Sequence, residues 1–386
     1  MHYDFDQIID RRSSDSTKWH HFDADVLPLW TADMDFRVAE PIVQALHQRV
    51  DHGVFGYCIE PDELREVIVA RMAELYQWKI EPGTIVFQTG VVSALHRVCR
   101  MAASTHDAIL VQPPVYPPIA TAARHNGSIH QENPLVRGPD GRYSIDFEAF
   151  EAAFTAHTRL LVLCNPHNPV GRVFSTAELS HMAEICLRHD VLICSDEIHC
   201  DLVFSGNRHV PIASLSPEVT RRTITLMAPS KTFNIPGLRC SFAIVQDPTL
   251  RARLGDPHAH DFSEVNSLGL AATTAAFKDG RDWLDQALAY LQKNRDLVVE
   301  TVQRQMPGVH VAPPEATYLA WLDCRDSGIS GNWSEFFRDR ARVGLADGAT
   351  FGTGGDGFIR LNFACPRSIL TEALTRMTEA MRAAQS

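Results

Sequence analysis

The chain has 386 residues, of which 45% are hydrophobic and 22% are charged, and its formal net charge is −11. A chain of this length exceeds a single-core domain, so two domains, or one large domain with an appendage, are expected. The acidic balance argues against nucleic-acid and anionic-membrane partners, although a small anionic ligand needs only local positive charge.

The cysteines and the N-terminal segment indicate the cellular compartment of the protein. The nine cysteines are an odd number and include no CxxC pair, and residues 1–18 are polar and mixed in charge, unlike a secretory signal. No apolar run approaches the roughly 20 residues that span a bilayer. These features predict a cytoplasmic protein with reduced thiols and no membrane association.

The predicted elements begin after residues 1–39, which show little periodicity, with helical patterns at about 40–51 and 61–78. Short apolar runs then alternate with helical patterns. The predicted strands lie near 84–88, 108–112, 159–164, 191–195, 223–227 and 241–246. The predicted helices lie near 91–103, 117–125, 146–156, 176–189 and 262–278. Such alternation predicts an α/β fold with a mainly parallel sheet covered by helices on both faces.

The last third of the chain has a different pattern. A long helical stretch at about 281–306 precedes a predicted strand, helix, strand and helix near 317–323, 332–342, 358–363 and 367–383. This order predicts a smaller α+β domain. In open α/β sheets ligands bind beyond the carboxyl ends of the strands, so the functional residues are expected in the loops that follow the strands of the larger part.

Lys231 lies on a predicted short loop between two predicted buried strands, at 223–227 and 241–246. Burying an ammonium group is costly unless the charge is paired or neutralised. Two interpretations are open. Either the ammonium of Lys231 reaches water at a strand end, or its pKa is lowered so that the free amine can form a Schiff base. Arg239, eight residues later, fits an aldehyde cofactor with an anionic tail.

Three polar residues occur at the ends or in the interior of apolar runs. Asp196 closes the buried run at 191–195, where a carboxylate needs a partner or caps the next element. Asn168 lies in a Pro-rich turn, where turn formation alone explains an asparagine. Arg360 interrupts an apolar strand. A metal site at Asp196 and His199 is not predicted, because no further ligand set of recognisable spacing occurs.

Four motifs in order carry a family resemblance: 89–92 (TGVV), 165–171 (NPHNPVG), 195–199 (SDEIH) and 230–234 (SKTFN). In this order and spacing the chain resembles the fold-type I aminotransferase superfamily, whose enzymes use pyridoxal 5′-phosphate (PLP). The resemblance runs from about residue 30 to 367. It implies a large PLP-binding domain at 46–280 with a mainly parallel seven-stranded sheet, and a small C-terminal domain at 281–386 joined by an N-terminal arm, 1–45.

The resemblance implies roles around the cofactor ring. Lys231 would hold PLP covalently, and Asp196 would pair with the protonated pyridine nitrogen. Asn168 and His199 would lie beside the phenolic oxygen. Tyr116 would stack on the ring, although a rigid turn bearing an aromatic also explains it.

The resemblance also implies a phosphate site at a helix N-terminus, where backbone N–H groups receive anions. Its residues would be Gly90, Val91, Val92, Ser230 and Arg239. Ala228 departs from the family pattern, because a serine often stands three residues before the lysine, and one expected hydroxyl is therefore missing.

The remaining implied roles concern the substrate and a second subunit. The implied substrate-binding residues are Arg360, Asp33 and Asn168, and Arg360 would bind the substrate α-carboxylate bidentately. Tyr57 matches a tyrosine that relatives extend to the phosphate of the neighbouring subunit, which implies a homodimer with interfacial active sites. Without the resemblance, Tyr57 would be interpreted as a core aromatic. The implied catalytic residues are Lys231, Asp196, Tyr116 and Tyr57.

Further motifs are similar to the cystathionine β-lyase-like branch, the MalY/PatB type: 30–36 (WTADMDF), 196–199 (DEIH), 228–234 (APSKTFN) and 360–364 (RLNFA). In the commoner form of the first motif valine replaces Thr31. This branch implies a C–S β-lyase in which the amine of Lys231 removes the Cα proton of an amino-acid substrate and a thiolate leaves Cβ. The alternatives are a PLP-dependent aminotransferase acting on an amino acid and a keto acid, and a PLP-binding regulatory protein with little turnover.

Overall fold

The structure is a computed structural model, and residues 1–256, 264–329 and 331–385 are described from it. Within these ranges fifteen strands and fifteen α-helices are numbered in chain order. The strands are β1 Leu27–Pro28, β2 Ile85–Gln88, β3 Ala108–Val111, β4 Ile129–Glu132, β5 Val136–Arg137, β6 Tyr143–Ser144, β7 Thr158–Cys164, β8 Leu192–Asp196, β9 Thr223–Met227, β10 Ser241–Ile244, β11 His310–Val311, β12 Leu319–Asp323, β13 Val343–Gly344, β14 Ala346–Asp347 and β15 Phe358–Asn362.

The two longest helices precede and follow the strands β11–β15 in the sequence. The helices are α1 Thr17–His20, α2 Glu40–Asp51, α3 Asp62–Tyr76, α4 Val91–Ala102, α5 Pro117–Ala120, α6 Ala122–His125, α7 Phe147–Ala152, α8 Thr176–Arg188, α9 Pro217–Arg221, α10 Pro229–Thr232, α11 Pro248–Leu254, α12 Ser267–Asp279, α13 Arg281–Gln305, α14 Trp333–Phe336 and α15 Arg367–Gln385. None of the helices within the described ranges is both long and apolar enough to cross a membrane.

The large sheet has seven strands in the order β2-β10-β9-β8-β7-β3-β4. Five of these strands, β9, β8, β7, β3 and β4, run parallel to one another. The strand β10 is antiparallel to both β9 and β2. This arrangement confirms the predicted α/β fold with a mainly parallel seven-stranded sheet.

Alternating side chains of β7 pack into different hydrophobic clusters on the two faces of this sheet. Leu160 and Val162 pack with the apolar side of α4, and Leu161 and Leu163 pack with α7 and α8. Burying each such leucine contributes roughly 1.5–3 kcal/mol. Because both faces are covered, the loops at the strand ends are the part of the sheet that can receive a ligand.

A second, antiparallel sheet has the order β11-β12-β15-β14. Trp321 of β12 pairs with Arg360 of β15, and α13 and α15 pack beside this sheet. The N-terminal arm joins the same region, because Leu27 of β1 pairs with Val343 of β13 and Leu29 belongs to the same hydrophobic cluster. The division of the chain at residues 45 and 280 stays a prediction.

The structure departs from the predicted elements in a few places. The elements that were not predicted are β4 of the large sheet, the two-residue strands β1, β5, β6, β11, β13 and β14, and the short helices α1, α9, α10 and α11. The predicted helix near 117–125 is divided at Thr121 into α5 and α6. The predicted helix near 332–342 is α14 followed by a π-helical turn, Phe337–Ala341. The first two residues of the predicted helix near 262–278 lie outside the described residues. Lys231 lies in the short helix α10 rather than on a loop.

Candidate active site

A cavity of about 310 Å³ lies at the carboxyl ends of the large-sheet strands, between that sheet, the N-terminal arm and β15. The cavity brings together most of the predicted site residues. Those that line it are Gly90, Val91, Val92, Tyr116, Asn168, Asp196, His199, Ser230, Lys231, Arg239 and Arg360. The convergence arises because the loops after β2, β7, β8 and β9 leave the sheet at the same edge.

Lys231 is held in the cavity by its place in α10, which follows β9 directly and has a proline in its first turn. Its Nζ donates to the backbone carbonyl of Ala32 at 2.6 Å. Burial, together with the nearby charge of Arg360, lowers the pKa of Lys231 to about 8 against the opposite effects of Asp33 and Asp196. A lowered pKa increases the fraction of neutral, nucleophilic amine near neutral pH.

Asp196 is the last residue of β8 and lies in the sheet between Cys164 of β7 and Leu226 of β9. Its Oδ1 accepts the backbone N–H of Ile198 at 3.2 Å. Burial raises the pKa of Asp196 to about 7, since one N–H group and the Lys231 charge compensate only part of the desolvation. A cationic group in the cavity would stabilise its carboxylate form.

Glu197 follows Asp196 but faces away from the cavity. Its carboxylate accepts from the hydroxyl of Ser195 at 2.8 Å and lies 2.7 Å from Nε2 of His209. Both partners are buried. This buried cluster fixes the backbone at the end of β8 and therefore the position of Asp196.

Asn168, His199 and Tyr116 form the next part of the wall. The backbone carbonyl of Asn168 accepts the N–H of Tyr116 at 2.9 Å, so the two loops are linked. Burial lowers the pKa of His199 to about 3, and the charges of Lys231 and Arg360 act in the same direction, so its ring is neutral. Its Nδ1 is buried without a hydrogen-bond partner among the described residues.

The predicted phosphate site lies at the start of α4. Gly90 precedes the helix and Val91 begins it, so the first N–H groups of a twelve-residue helix point toward the cavity. Arg239 has a left-handed backbone, with φ of 48°. Ala228 also lines this part, so the expected hydroxyl is absent at that position.

Four hydroxyl-bearing residues line the cavity although they were not predicted as site residues: Thr31, Thr89, Ser93 and Ser241. Ser93 lies in the first turn of α4. A polar residue among apolar neighbours is the sequence feature that could have indicated its place in the cavity. Ser241 begins β10, and its hydroxyl donates to the carbonyl of Gln88 at 3.0 Å. Nothing in the local sequence distinguishes it from an ordinary strand-end serine.

Arg360 is 5% exposed and projects from β15 into the cavity. Its Nη1 donates to Oδ1 of Asn168 at 3.0 Å, and its Nη2 donates to the carbonyl of Trp30 at 2.9 Å. Its Nε is buried without a partner among the described residues. Burial lowers the pKa of Arg360 to about 10, so it remains charged at neutral pH.

Two predicted site residues lie elsewhere. The carboxylate of Asp33 pairs with Arg11 at 2.9 Å and with Lys18 at 3.5 Å and does not line the cavity. Its predicted substrate-binding role stays a prediction. Arg11 and Lys18 belong to the N-terminal arm, for which the sequence pattern predicted no helix or strand. Tyr57 is fully exposed and does not line the cavity within this chain; its predicted contact with a neighbouring subunit stays a prediction.

The chain is similar in sequence and in fold to proteins of known families. Residues 24–377 match the family model "aminotransferase class I and II". The chain is 37% identical to cystathionine beta-lyase PatB of Bacillus subtilis, covering 98% of this chain and 99% of that protein. It also superposes on crystal structures of OvoB (TM-score 0.94, 43% identity, 98% and 99% of the two chains) and of PLP-containing cystalysin from Treponema denticola (0.95, 32%, all of both chains). The chain belongs to the aminotransferase class I and II family.

Proposed function

We propose that the protein is a PLP-dependent C–S β-lyase, which cleaves cystathionine or a related cysteine S-conjugate into a thiol, pyruvate and ammonia by α,β-elimination. The observation that carries the proposal is the convergence of Lys231, Asp196 and Arg360 on one cavity. The relatives named cystathionine beta-lyase and the PLP-containing structural neighbours support this activity.

The residues of the cavity fit PLP. The ring nitrogen needs a carboxylate, and Asp196 is a buried carboxyl with a raised pKa. The phenolic oxygen needs polar neighbours, which Asn168 and the unpartnered ring nitrogen of His199 provide. The phosphate needs N–H groups and positive charge, which the start of α4 and Arg239 provide.

When bound, PLP supplies an electron sink for the negative charge that develops at the substrate Cα. The carboxylate of Asp196 would hold the proton on the ring nitrogen. The amine of Lys231, with a pKa of about 8, would remove the proton from Cα, because about a tenth of it is neutral at pH 7. The same Nζ would carry that proton until it is released.

Arg360 and Asn168 would bind the amino-acid part of the substrate. The unpartnered Nε of Arg360 is a buried charged donor, and such a donor binds a carboxylate strongly. The bond from Nη1 to Asn168 fixes the plane of the guanidinium. The α-carboxylate is thereby held while the bond from Cα to hydrogen is broken.

A homodimer with interfacial active sites is part of the proposal. The segment 54–59 presents four exposed apolar or aromatic side chains, Val54, Phe55, Tyr57 and Ile59. Such a contiguous patch marks an interaction surface. The proposed cytoplasmic location is supported by the nine cysteines, all of which are free thiols.

Aminotransfer is the second candidate, because the family model is that of the class I and II aminotransferases. It uses the same proton removal by Lys231 and differs in where the proton is returned. Our test gives the purified holoenzyme L-cystathionine without a keto acid and follows pyruvate and thiol together. Equal amounts over many turnovers are expected. A single turnover that a keto acid restores would identify an aminotransferase, and no product would contradict both activities.

A further inference from the structure

Phe351 lies directly against the guanidinium of Arg360. It ends the turn Gly348–Phe351 before β15, and its side chain is 1% exposed. The guanidinium carbon of Arg360 is 4.9 Å from the centroid of the Phe351 ring, within the range of a cation–π contact. The guanidinium carbon therefore lies over an aromatic ring.

The guanidinium is also restrained along its edge. Nη1 and Nη2 each donate to a protein oxygen, in Asn168 and Trp30. Nε has no partner among the described residues although it is buried. The ring contact and the two hydrogen bonds together restrain the orientation of the group. Its remaining N–H capacity stays directed at the cavity.

Phe351 itself is held in place by both parts of the fold. Its carbonyl accepts the N–H of Val115 at 2.9 Å, in the loop that carries Tyr116. Its ring packs edge-on against Trp321, with centroids 5.2 Å apart. Gly352 follows with φ of 89°, and a Cβ there would lie 3.3 Å from Cβ of Pro113, so the chain passes close to that loop.

We propose that Phe351 is a positioning residue for carboxylate recognition, fixing the guanidinium of Arg360 in the orientation that binds the α-carboxylate of an amino acid. The inference rests on the proposed function of Arg360. The negative face of the ring also offsets part of the cost of burying the cation. Ligands that carry an amine but no carboxylate do not use Arg360, so their binding does not depend on Phe351.

The test compares Phe351→Leu with wild-type holoenzyme. We expect KM for L-cystathionine to rise roughly threefold to thirtyfold, the range of a buried cation–π contact, with kcat within about twofold, because the lost interaction binds ground state and transition state alike. Binding is measured separately from turnover by titrating the cofactor absorbance with L-alanine and with ethylamine. Only the affinity for L-alanine should fall.

The chain offers a matched control in Phe358. It is 3% exposed, packs on the same Trp321 ring at 5.1 Å, and lies 4.7 Å from the guanidinium carbon of Arg325. That arginine pairs with Asp323 and does not line the cavity. Phe358→Leu should therefore lower thermal stability about as much as Phe351→Leu and leave KM unchanged.

The outcomes separate this inference from the proposed function. Equal loss of L-alanine and ethylamine binding in Phe351→Leu, or an equal rise of KM in Phe358→Leu, would overturn the role of Phe351. A wild-type holoenzyme that responds to no amino acid would instead contradict the proposed function. If Phe351→Leu is insoluble, Phe351→Met, which is close in volume and lacks a ring, takes its place.

Discussion

The amine of Lys231 donates to the backbone carbonyl of Ala32 across 2.6 Å, which joins two parts of the chain that are 199 residues apart in sequence. The hydroxyl of Tyr318 donates to the same carbonyl at 3.0 Å. The N-terminal arm is therefore part of the site, because its backbone holds the group that we propose as the base.

Substituting Lys231→Ala should abolish both turnover and the visible absorbance of the lysine-bound cofactor. The physical reason is that no other amine among the described residues lines the cavity. Absorbance spectra and the cystathionine assay measure the two effects. Lys278→Ala is the control, since that lysine is exposed and pairs with Glu63 at the surface. Unchanged spectra in Lys231→Ala would rule out the central role of this residue.

The lowered pKa of Lys231 predicts how the stability of the cofactor-free protein depends on pH. Below about pH 8 both folded and unfolded chains hold the proton, and the folded protein bears the cost of the buried ammonium. Between pH 8 and 10.5 the unfolded chain holds more protons, so the free energy of unfolding rises with pH.

Urea unfolding of the wild type and Lys231→Met at pH 7 and pH 10 isolates this effect, because the other titrating groups are common to both proteins. The wild type should gain on the order of 3 kcal/mol relative to Lys231→Met over the full titration, at 1.36 kcal/mol per pKa unit. A constant difference between the two proteins would show that the pKa of Lys231 is not lowered by folding.

Asp196→Asn should lower turnover by at least about a hundredfold, the usual effect of removing a preorganised charge from an active site. The amide keeps the shape of the side chain but cannot hold the proton on the ring nitrogen. Steady-state kinetics with L-cystathionine measure the loss. The control is Asp190→Asn, where the carboxylate is exposed and pairs with Arg222. Wild-type turnover in Asp196→Asn would contradict the role of this carboxylate.

The proposed interfacial role of Tyr57 can be tested with mixed dimers. Lys231→Ala and Tyr57→Ala should each be nearly inactive alone. In a mixed dimer one site regains both residues, so about a quarter of all sites should be active after random exchange of subunits in a two-fold symmetric dimer. Activity that does not return after unfolding and refolding the two variants together would contradict a contribution of Tyr57 to the active site of the neighbouring subunit.

The sequence predicted the interior of the fold well, because buried parallel strands are continuous apolar runs with few alternatives. Each of the six predicted strands of the large sheet ends within about two residues of its predicted bounds. The missed strand β4 is an edge strand with a mixed sequence, IHQE, and no fully buried residue. Edge strands bury little, so their sequences are weakly constrained.

The candidate site was predictable where the residue type itself requires an explanation. Lys231, Asp196 and Arg360 are charged residues beside or within apolar runs, and the structure places them around one cavity. The ion pairs of Asp33 were not predictable in this way, because its partners Arg11 and Lys18 come from a segment without periodicity. The contact of Phe351 with Arg360 could not be predicted either, since an apolar residue near an apolar strand gives no signal of its neighbours.

The arm has a consequence for the order in which the protein becomes functional during synthesis. The cavity needs the carbonyls of Trp30 and Ala32 from the beginning of the chain and the guanidinium of Arg360 from near its end. A nascent chain that stops before residue 358 therefore exposes Lys231 in a half-built site. Because the ribosome must deliver almost the whole polypeptide first, the proposed substrate site is complete only after translation of the last strand.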